Sequence, residues 1–320
     1  MKRPDDKQGT SMNTIEKAMQ RLKTTSTQKD EAVRSVVNMT SASKTSTNVT
    51  ATTNNPNTNN IDSVSKGSNV TANFCDLNFT ELNRKGFLTP DIPDESLREE
   101  YRVIKRPLLN NARGKGAVPI PQGNLLMVTS AMPGEGKTYN SLNLAISFAM
   151  ERDTHVLLID SDVIKPSLTE IIGLSGVPGL TDMLSGEIED ITDILYKTNM
   201  PKLTVIPAGR RHAQDTELLS SDKMKHFTEE LADRYSDRIV MFDAPPMLAT
   251  SHAQVLMQYA GQIVLVVEAG KTLEHSIKEV VSQLGDDKVV GVVLNKGRGS
   301  FGSSYYGSYG TYGANPDSKE

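Results

Sequence analysis

The stretch LLMVTSAMPGEGKT, residues 125–138, decides the fold of this chain. A largely apolar run typical of a buried strand leads into a glycine-containing loop, and a helical pattern, SLNLAISFAMER, follows at once. The loop matches G-x-x-x-x-G-K-S/T except that Ala131 stands at the first glycine position. The order strand, loop, helix predicts a phosphate-binding loop, in which backbone N–H groups and the helix N-terminus face phosphate oxygens.

Such a loop predicts a site for ATP with Mg²⁺. Lys137 would reach the β- and γ-phosphates, and Thr138 would offer its hydroxyl to the metal. A chance strand–turn–helix with this spacing is the alternative. We expect ATP contacts from Met132, Pro133, Gly134, Glu135, Gly136, Lys137, Thr138, Tyr139 and Asn295.

Carboxylates stand at the ends of two further apolar runs. VLLIDSD ends in Asp160 and Asp162, which point to the same side because they are two residues apart, and RIVMFDAPP carries Asp243. Ligands of open α/β sheets bind beyond the C-terminal ends of the strands. A solvated turn with a helix cap is the alternative for either run. We predict catalytic roles for Lys137, Asp160 and Asp162, and metal binding by Thr138, Asp162 and Asp243. Asp160 is the better candidate for proton acceptor, but the sequence leaves the division of roles between Asp160 and Asp162 open.

The rest of the folded part alternates apolar runs with helical patterns. Near-continuous apolar strands are typical of a parallel sheet covered by helices on both faces, so the sequence predicts an α/β P-loop NTPase fold. The candidate strands are Leu125 to Thr129, Val156 to Asp160, Leu203 to Ile206, Ile239 to Asp243, Ile263 to Val267 and Val289 to Leu294.

Composition divides the 320 residues into four segments. Residues 1–23 carry an i, i+3, i+4, i+7 apolar pattern that predicts a short amphipathic helix. Residues 24–94 are rich in Ser, Thr and Asn and predict a disordered linker. Residues 95–298 form the folded domain, and residues 299–320 form a flexible tail rich in Gly, Ser and Tyr.

Charge and cysteine count exclude several classes of protein. A formal net charge of −4 gives no basis for nucleic-acid binding. The single cysteine, Cys75, excludes an internal disulfide and a cysteine-rich metal site, and we expect no role for it. No apolar run is long enough to span a membrane, and MKRPDDKQGT lacks the apolar region of a secretory signal. We therefore expect a cytoplasmic protein that reaches a membrane through a partner or a surface helix.

Several ordered motifs resemble one family. SAMPGEGKT, LLIDSDVIKPSL and IVMFDAPPML, supported by GLTDMLSGE, IPAGRRHAQDTELLSS and GVVLNK, are similar to motifs of the bacterial tyrosine kinases across about Glu95 to Lys296. That family shares the deviant P-loop fold of the partitioning and division-site ATPases. The resemblance implies transfer of the γ-phosphoryl group of ATP to tail tyrosines, here Tyr305, Tyr306, Tyr309 and Tyr312.

The phrases MNTIEKAMQRL and EEYRVIKRPLL resemble a subgroup that lacks a fused membrane segment and accompanies exopolysaccharide gene clusters. This resemblance implies three partners: a membrane-spanning polysaccharide co-polymerase that activates the kinase, a cognate tyrosine phosphatase, and other copies of the chain in a ring. It also implies recruitment to the inner face of the cell membrane through the co-polymerase.

The chain departs from the family pattern at two places. Ile164 stands where the family usually has a basic residue, although Lys165 follows it. In the Glu-x-x-Arg-x-x-Arg motif associated with ring assembly, Glu99 and Arg102 match, but Lys105 takes the last place. Lysine does not replace arginine at a bidentate site. An ordinary charged helix face is the alternative for these three residues.

Two other functions fit parts of the sequence. An ATPase switch of the partitioning type would use water as acceptor, but such proteins usually carry an extra lysine near the position of Met132, and none precedes Lys137 in this loop. A nonenzymatic adaptor that only binds nucleotide would leave the carboxylates without a role. Release of phosphate from ATP without labelling of tyrosine would reject the kinase function.

Overall fold

The computed structural model describes residues 73–91, 94–212, 215–235, 237–285 and 288–297. The predicted N-terminal helix, the linker up to residue 72 and the four tail tyrosines lie outside the described residues. In the described part of the chain, no helix is both long and apolar enough to cross a membrane.

Eight strands of the described residues form one sheet in the order β1-β4-β5-β3-β6-β2-β7-β8. Neighbouring strands are parallel except for the antiparallel pair β4 and β5. The structure confirms the six predicted strands and adds the short strands β1 and β4. The strands are β1 Phe74–Cys75, β2 Leu125–Ser130, β3 His155–Asp160, β4 Tyr196–Thr198, β5 Leu203–Ile206, β6 Arg238–Asp243, β7 Gln262–Glu268 and β8 Val289–Asn295.

Helices cover both faces of the sheet, as the sequence predicts. Alternate residues of β2 belong to two separate cores: Leu126 and Val128 pack on one side, and Leu125 and Met127 on the other. The helices are α1 Phe79–Arg84, α2 Glu95–Ala112, α3 Lys137–Ala149, α4 Ser167–Ile171, α5 Leu180–Ser185, α6 Asp215–Leu219, α7 Asp222–Arg234, α8 Ser251–Tyr259 and α9 Glu274–Gln283, with a 3₁₀ turn at Ile191–Ile194.

The folded domain begins earlier than the predicted boundary at residue 95. Strand β1 pairs with β4, and Asn78 caps α1 by accepting a hydrogen bond from the N–H of Glu81. Cys75, Leu77, Leu82, Phe87 and Leu88 are buried in the same core as α3. Residues 73–91 therefore belong to the fold, and the predicted linker extends too far. Composition did not reveal this, because the few apolar side chains of this segment are buried by contacts with elements distant in sequence.

Candidate active site

The sheet brings three strand ends together. Strand β6 lies between β3 and β2, and Asp160 and Asp243 are direct neighbours in the β3–β6 register. The phosphate-loop candidate, residues 131–136, follows β2 on the other side of β6. The carboxyl ends of these parallel strands thus form one edge, where the predicted lysine and carboxylates meet.

Backbone geometry and the end of β8 shape the loop. Gly134 and Gly136 have φ values of 89° and 97°, which favour glycine. A Cβ at Gly136 would also lie 2.1 Å from Nδ2 of Asn295. That amide donates to the carbonyl of Glu135 at 2.9 Å, and Nζ of Lys296 donates to the carbonyl of Gly134 at 2.7 Å. Asn295, predicted to contact ATP, uses its side-chain amide to hold the loop.

Two other predicted ATP contacts direct their side chains into the protein. The carboxylate of Glu135 is buried, accepts from the N–H of Met132 at 2.9 Å and contacts the hydroxyl of Thr272. Tyr139 donates its hydroxyl to the carbonyl of Gly86 at 2.7 Å and packs on the ring of Phe87. Glu135 therefore braces the loop, and Tyr139 could reach a phosphate through its backbone N–H but not through its ring.

Asp243, the last residue of β6, is the centre of a buried polar cluster that includes side chains from the start of α3. Thr138 donates its hydroxyl to Oδ2 of Asp243 at 2.8 Å, and the hydroxyl of Ser141 lies 2.8 Å from Oδ1. Nζ of Lys137 lies 2.9 Å from Oδ2 of Asp162 and 3.8 Å from Oδ2 of Asp243. The structure thus brings together Lys137, Thr138, Asp162 and Asp243, as the sequence predicts.

Asp160 lies beside this cluster and is fully buried. Its Oδ2 accepts from the N–H and from the hydroxyl of Thr169, both at 2.8 Å, and its Oδ1 accepts from the N–H of Asp162 at 3.2 Å. Asp162 is 4% exposed, and its carboxylate is the closest of the three to Nζ of Lys137.

Electrostatics in the site are dominated by burial. Burial, followed by repulsion from Asp243, raises the pKa of Asp160 to about 7. Burial also raises the pKa of Asp243, against the opposing effects of Lys137, Thr138 and Ser141. For Lys137, burial acts to lower the pKa, but Asp243 and Asp162 outweigh it and the pKa is raised. The lysine is therefore charged at neutral pH.

The donor set fits a divalent cation. Asp162, Asp243 and the hydroxyl of Thr138 are oxygen ligands of the type that Mg²⁺ prefers. Within the described residues, Lys137 is the cation that pairs with Asp162 and Asp243, so these two carboxylates share one positive charge. A bound Mg²⁺ would offset the remaining negative charge.

Two contributing residues were not predicted. Ser141 lies one helical turn after Lys137, so helix periodicity provided a signal for it. Thr169 lies nine residues after Asp160 in a different element, and no local pattern points to it.

The three residues of the predicted assembly motif differ in their exposure to solvent. Glu99 and Arg102 form an ion pair on α2 with partly exposed side chains. Lys105 is 7% exposed, donates to the carbonyl of Ser147 at 2.8 Å and lies 2.7 Å from Oε1 of Glu151. Its ammonium is engaged within its own subunit, and its predicted place in the oligomer interface stays a prediction. The exposed Ile164 stands beside Lys165, whose N–H donates to Oδ1 of Asp162.

A mostly parallel sheet with a glycine loop, a lysine at the first residue of a helix and strand-end carboxylates defines a P-loop nucleotide-binding domain. A family model described as an AAA domain matches residues 124–286, just over half of the chain. Tyrosine-protein kinase YwqD of Bacillus subtilis is 36% identical over 215 residues, covering 67% of this chain and 86% of that protein. Tyrosine-protein kinase CpsD of Streptococcus agalactiae is 31% identical, covering 70% of this chain and 95% of CpsD. The chain belongs to the bacterial tyrosine-protein kinases.

Longer relatives and solved structures agree with this assignment. Tyrosine-protein kinase ptk of Acinetobacter johnsonii is 32% identical over 64% of this chain, but the match spans only 26% of ptk. The crystal structure of the VpsO kinase domain has a TM-score of 0.53 and 34% identity, covering 64% of this chain and 98% of that one. The kinase domain of Escherichia coli tyrosine kinase ETK has a TM-score of 0.56 and 25% identity, covering 71% of this chain and 91% of that one. The predicted fold and enzyme class are thus confirmed.

Proposed function

We propose that this kinase transfers the γ-phosphoryl group of Mg²⁺-bound ATP to tyrosines of its own tail, Tyr305, Tyr306, Tyr309 and Tyr312. The observation that carries the proposal is the buried cluster of Lys137, Thr138, Asp162 and Asp243 at adjacent strand ends. A glycine-rich tail can present a phenol to its own site or to that of a neighbour. The described fold ends at residue 297, directly after the lysine that holds the loop.

Each group in the cluster has a defined role in this proposal. Lys137 and the loop N–H groups bind the phosphates, and Thr138, Asp162 and Asp243 hold Mg²⁺, which neutralises charge on the phosphate oxygens. Asp160 accepts the phenol proton through Oδ1, because both hydrogen bonds of Thr169 go to Oδ2. Positioning and charge stabilisation contribute most of the rate enhancement.

The direct test uses the full chain with labelled ATP and Mg²⁺. Wild type should label tyrosine, and Lys137→Met should reduce the rate about 100-fold or more, as expected for loss of a charge that stabilises the transition state. Lys278→Met is the matched control, because that lysine is exposed and pairs with Glu274 on its own helix, α9. A variant with all four tail tyrosines changed to Phe should lose most of the label. Phosphate release by wild type without any tyrosine label would reject the kinase proposal.

Assembly and partners extend the same proposal. A ring would use the exposed Glu99–Arg102 face of α2, and the unmodified tail would dock in an adjacent subunit. Phosphorylation of all four tyrosines adds about −6 to −8 charge, which Asp160, Asp162 and Asp243 would repel, so the ring would dissociate. Equal oligomer size for phosphorylated and dephosphorylated protein would exclude this step.

The remaining proposed partners act outside the domain. A membrane-spanning polysaccharide co-polymerase would activate the kinase and hold this cytoplasmic chain at the inner face of the membrane, and a tyrosine phosphatase would reset the tail. The functional output would be control of capsular or exopolysaccharide synthesis and export. Labelling that increases when the purified co-polymerase is added, and no change with an unrelated membrane protein, would support the activator.

A further inference from the structure

Thr169 connects the Asp160 carboxylate to a distant loop. It lies on α4, is 2% exposed, and directs both its N–H and its hydroxyl to Oδ2 of Asp160. The N–H of Ala208 in turn donates to the Thr169 hydroxyl at 2.9 Å. Ala208 belongs to the segment that follows β5, residues 207–212, which we call the β5 loop.

The donor pattern fixes the direction of these hydrogen bonds. A backbone N–H only donates, so the Thr169 oxygen must accept from Ala208. The single hydroxyl hydrogen is then left for Oδ2 of Asp160, at 2.8 Å. Because threonine is branched at Cβ, its χ1 angle is restricted, and the hydroxyl cannot easily turn elsewhere.

The β5 loop offers a rigid point of attachment. The hydroxyl oxygen of Thr181 lies 3.0 Å from the carbonyl oxygen of Ala208 and 2.7 Å from that of Arg210, and the N–H of Arg210 donates to Oδ2 of Asp182 at 3.0 Å. Gly209 has φ of 97°, and a Cβ there would lie 2.4 Å from Oγ1 of Thr181. The loop is therefore held closely against the start of α5.

These contacts leave the two oxygens of Asp160 unequal. Oδ2 accepts two short hydrogen bonds from Thr169, whereas Oδ1 accepts one longer bond from the N–H of Asp162. The carboxylate thus cannot rotate without breaking the Thr169 bonds, and Oδ1 accepts fewer hydrogen bonds than Oδ2.

We propose that Thr169 is a positioning residue for phosphoryl transfer: its hydroxyl ties Asp160 to the β5 loop and holds the carboxylate in one orientation at this edge of the sheet. This inference rests on the proposed function, which gives Asp160 its role in the reaction. Outer hydrogen-bond partners of this kind typically change activity about 10- to 100-fold when they are removed.

The test compares three variants of the full chain. Thr169→Val keeps the branched shape and the backbone N–H but removes the hydroxyl, and Thr169→Ser keeps the hydroxyl. Thr228→Val is the matched control, because it removes another buried threonine hydroxyl, which bonds to carbonyls within α7 and contacts neither the carboxylates nor the β5 loop. The measurements are kcat and KM for ATP in tyrosine labelling, with the unfolding midpoint of each protein.

For Thr169→Val we expect kcat to fall about 10- to 100-fold with KM for ATP unchanged. Thr169→Ser should recover most of kcat, and Thr228→Val should keep kcat. Wild-type kcat in Thr169→Val, or equal losses of kcat in Thr169→Val and Thr228→Val, would overturn the inference. If wild type labels no tyrosine, the proposed function fails separately, and the same comparison is made on phosphate release, where Asp160 would position water.

Discussion

Replacement of Lys105 by methionine should destabilise the single subunit. Nζ of Lys105 donates to the carbonyl of Ser147, which lies in the last turn of α3, and pairs with Glu151 just beyond that helix. The last carbonyls of a helix lack partners within the helix and favour a nearby positive charge. Lys105 therefore satisfies the C-terminal end of the helix whose N-terminal end carries Lys137.

The expected magnitude follows from these two contacts. A hydrogen bond from a charged donor contributes roughly 1.5–3 kcal/mol, and the ion pair adds at most about 1 kcal/mol because the Glu151 side chain is 40% exposed. Methionine retains most of the packing of the lysine stem. We expect Lys105→Met to lower the free energy of unfolding by about 2–3 kcal/mol.

Denaturant unfolding at concentrations where the protein is monomeric measures this change, with size-exclusion chromatography to follow assembly. Arg102→Met is the matched control, since its exposed i, i+3 pair with Glu99 should contribute only about 0.2–0.5 kcal/mol. Lys105 hydrogen bonding lowers the pKa of Glu151, so the contribution of the pair is present near neutral pH and is lost as pH falls through the lowered pKa. Unchanged stability in Lys105→Met, together with loss of the oligomer, would refute the assignment of Lys105 to the core.

Three further variants or reagents test other contacts. The Tyr101 hydroxyl donates to Asn140 at 3.0 Å, and Asn140 donates to the carbonyl of Gly136 at the end of the phosphate loop. Tyr101→Phe should therefore lower the free energy of unfolding by about 1 kcal/mol and raise KM for ATP. Denaturant unfolding and steady-state kinetics measure the two changes. Burial raises the pKa of Cys75 to about 11, so iodoacetamide at pH 8 should alkylate it only after unfolding, as mass spectrometry would show. Ser141→Ala removes a hydroxyl beside Asp243 and should lower kcat about 10- to 100-fold in the labelling assay, while an unchanged kcat would exclude a role for Ser141.

The sheet was predictable because its central strands are long and buried on both faces. Each of the six predicted strands matches the structure to within about a residue at either end, a normal difference for strand assignments of this kind. Strands β1 and β4 have two and three residues, which is too short for any periodic pattern. Their place depends on pairing between Phe74 and Lys197, far apart in sequence, and the polar composition around residue 74 conceals it.

The candidate site was predictable where chemistry coincides with a strand end. Asp160, Asp162 and Asp243 follow apolar runs, and the topology of a parallel sheet places such residues on one edge. Side-chain direction was not predictable from the motif: Glu135 lies within the phosphate loop and yet turns inward to Thr272. The contacts of Lys105 were not predictable for a related reason, since a motif position does not reveal which neighbours bury it.

The charge balance of the site explains why its residues cannot be purely structural. Asp160 and Asp243 are fully buried neighbours in the sheet, and burial raises the pKa of both. Burying like charges side by side opposes folding, and Lys137 is the cation that pairs with the cluster in the described part of the chain. A fold selected for stability alone would place apolar residues at these positions. A divalent cation would offset this unfavourable charge, so we predict that this edge of the sheet binds Mg²⁺.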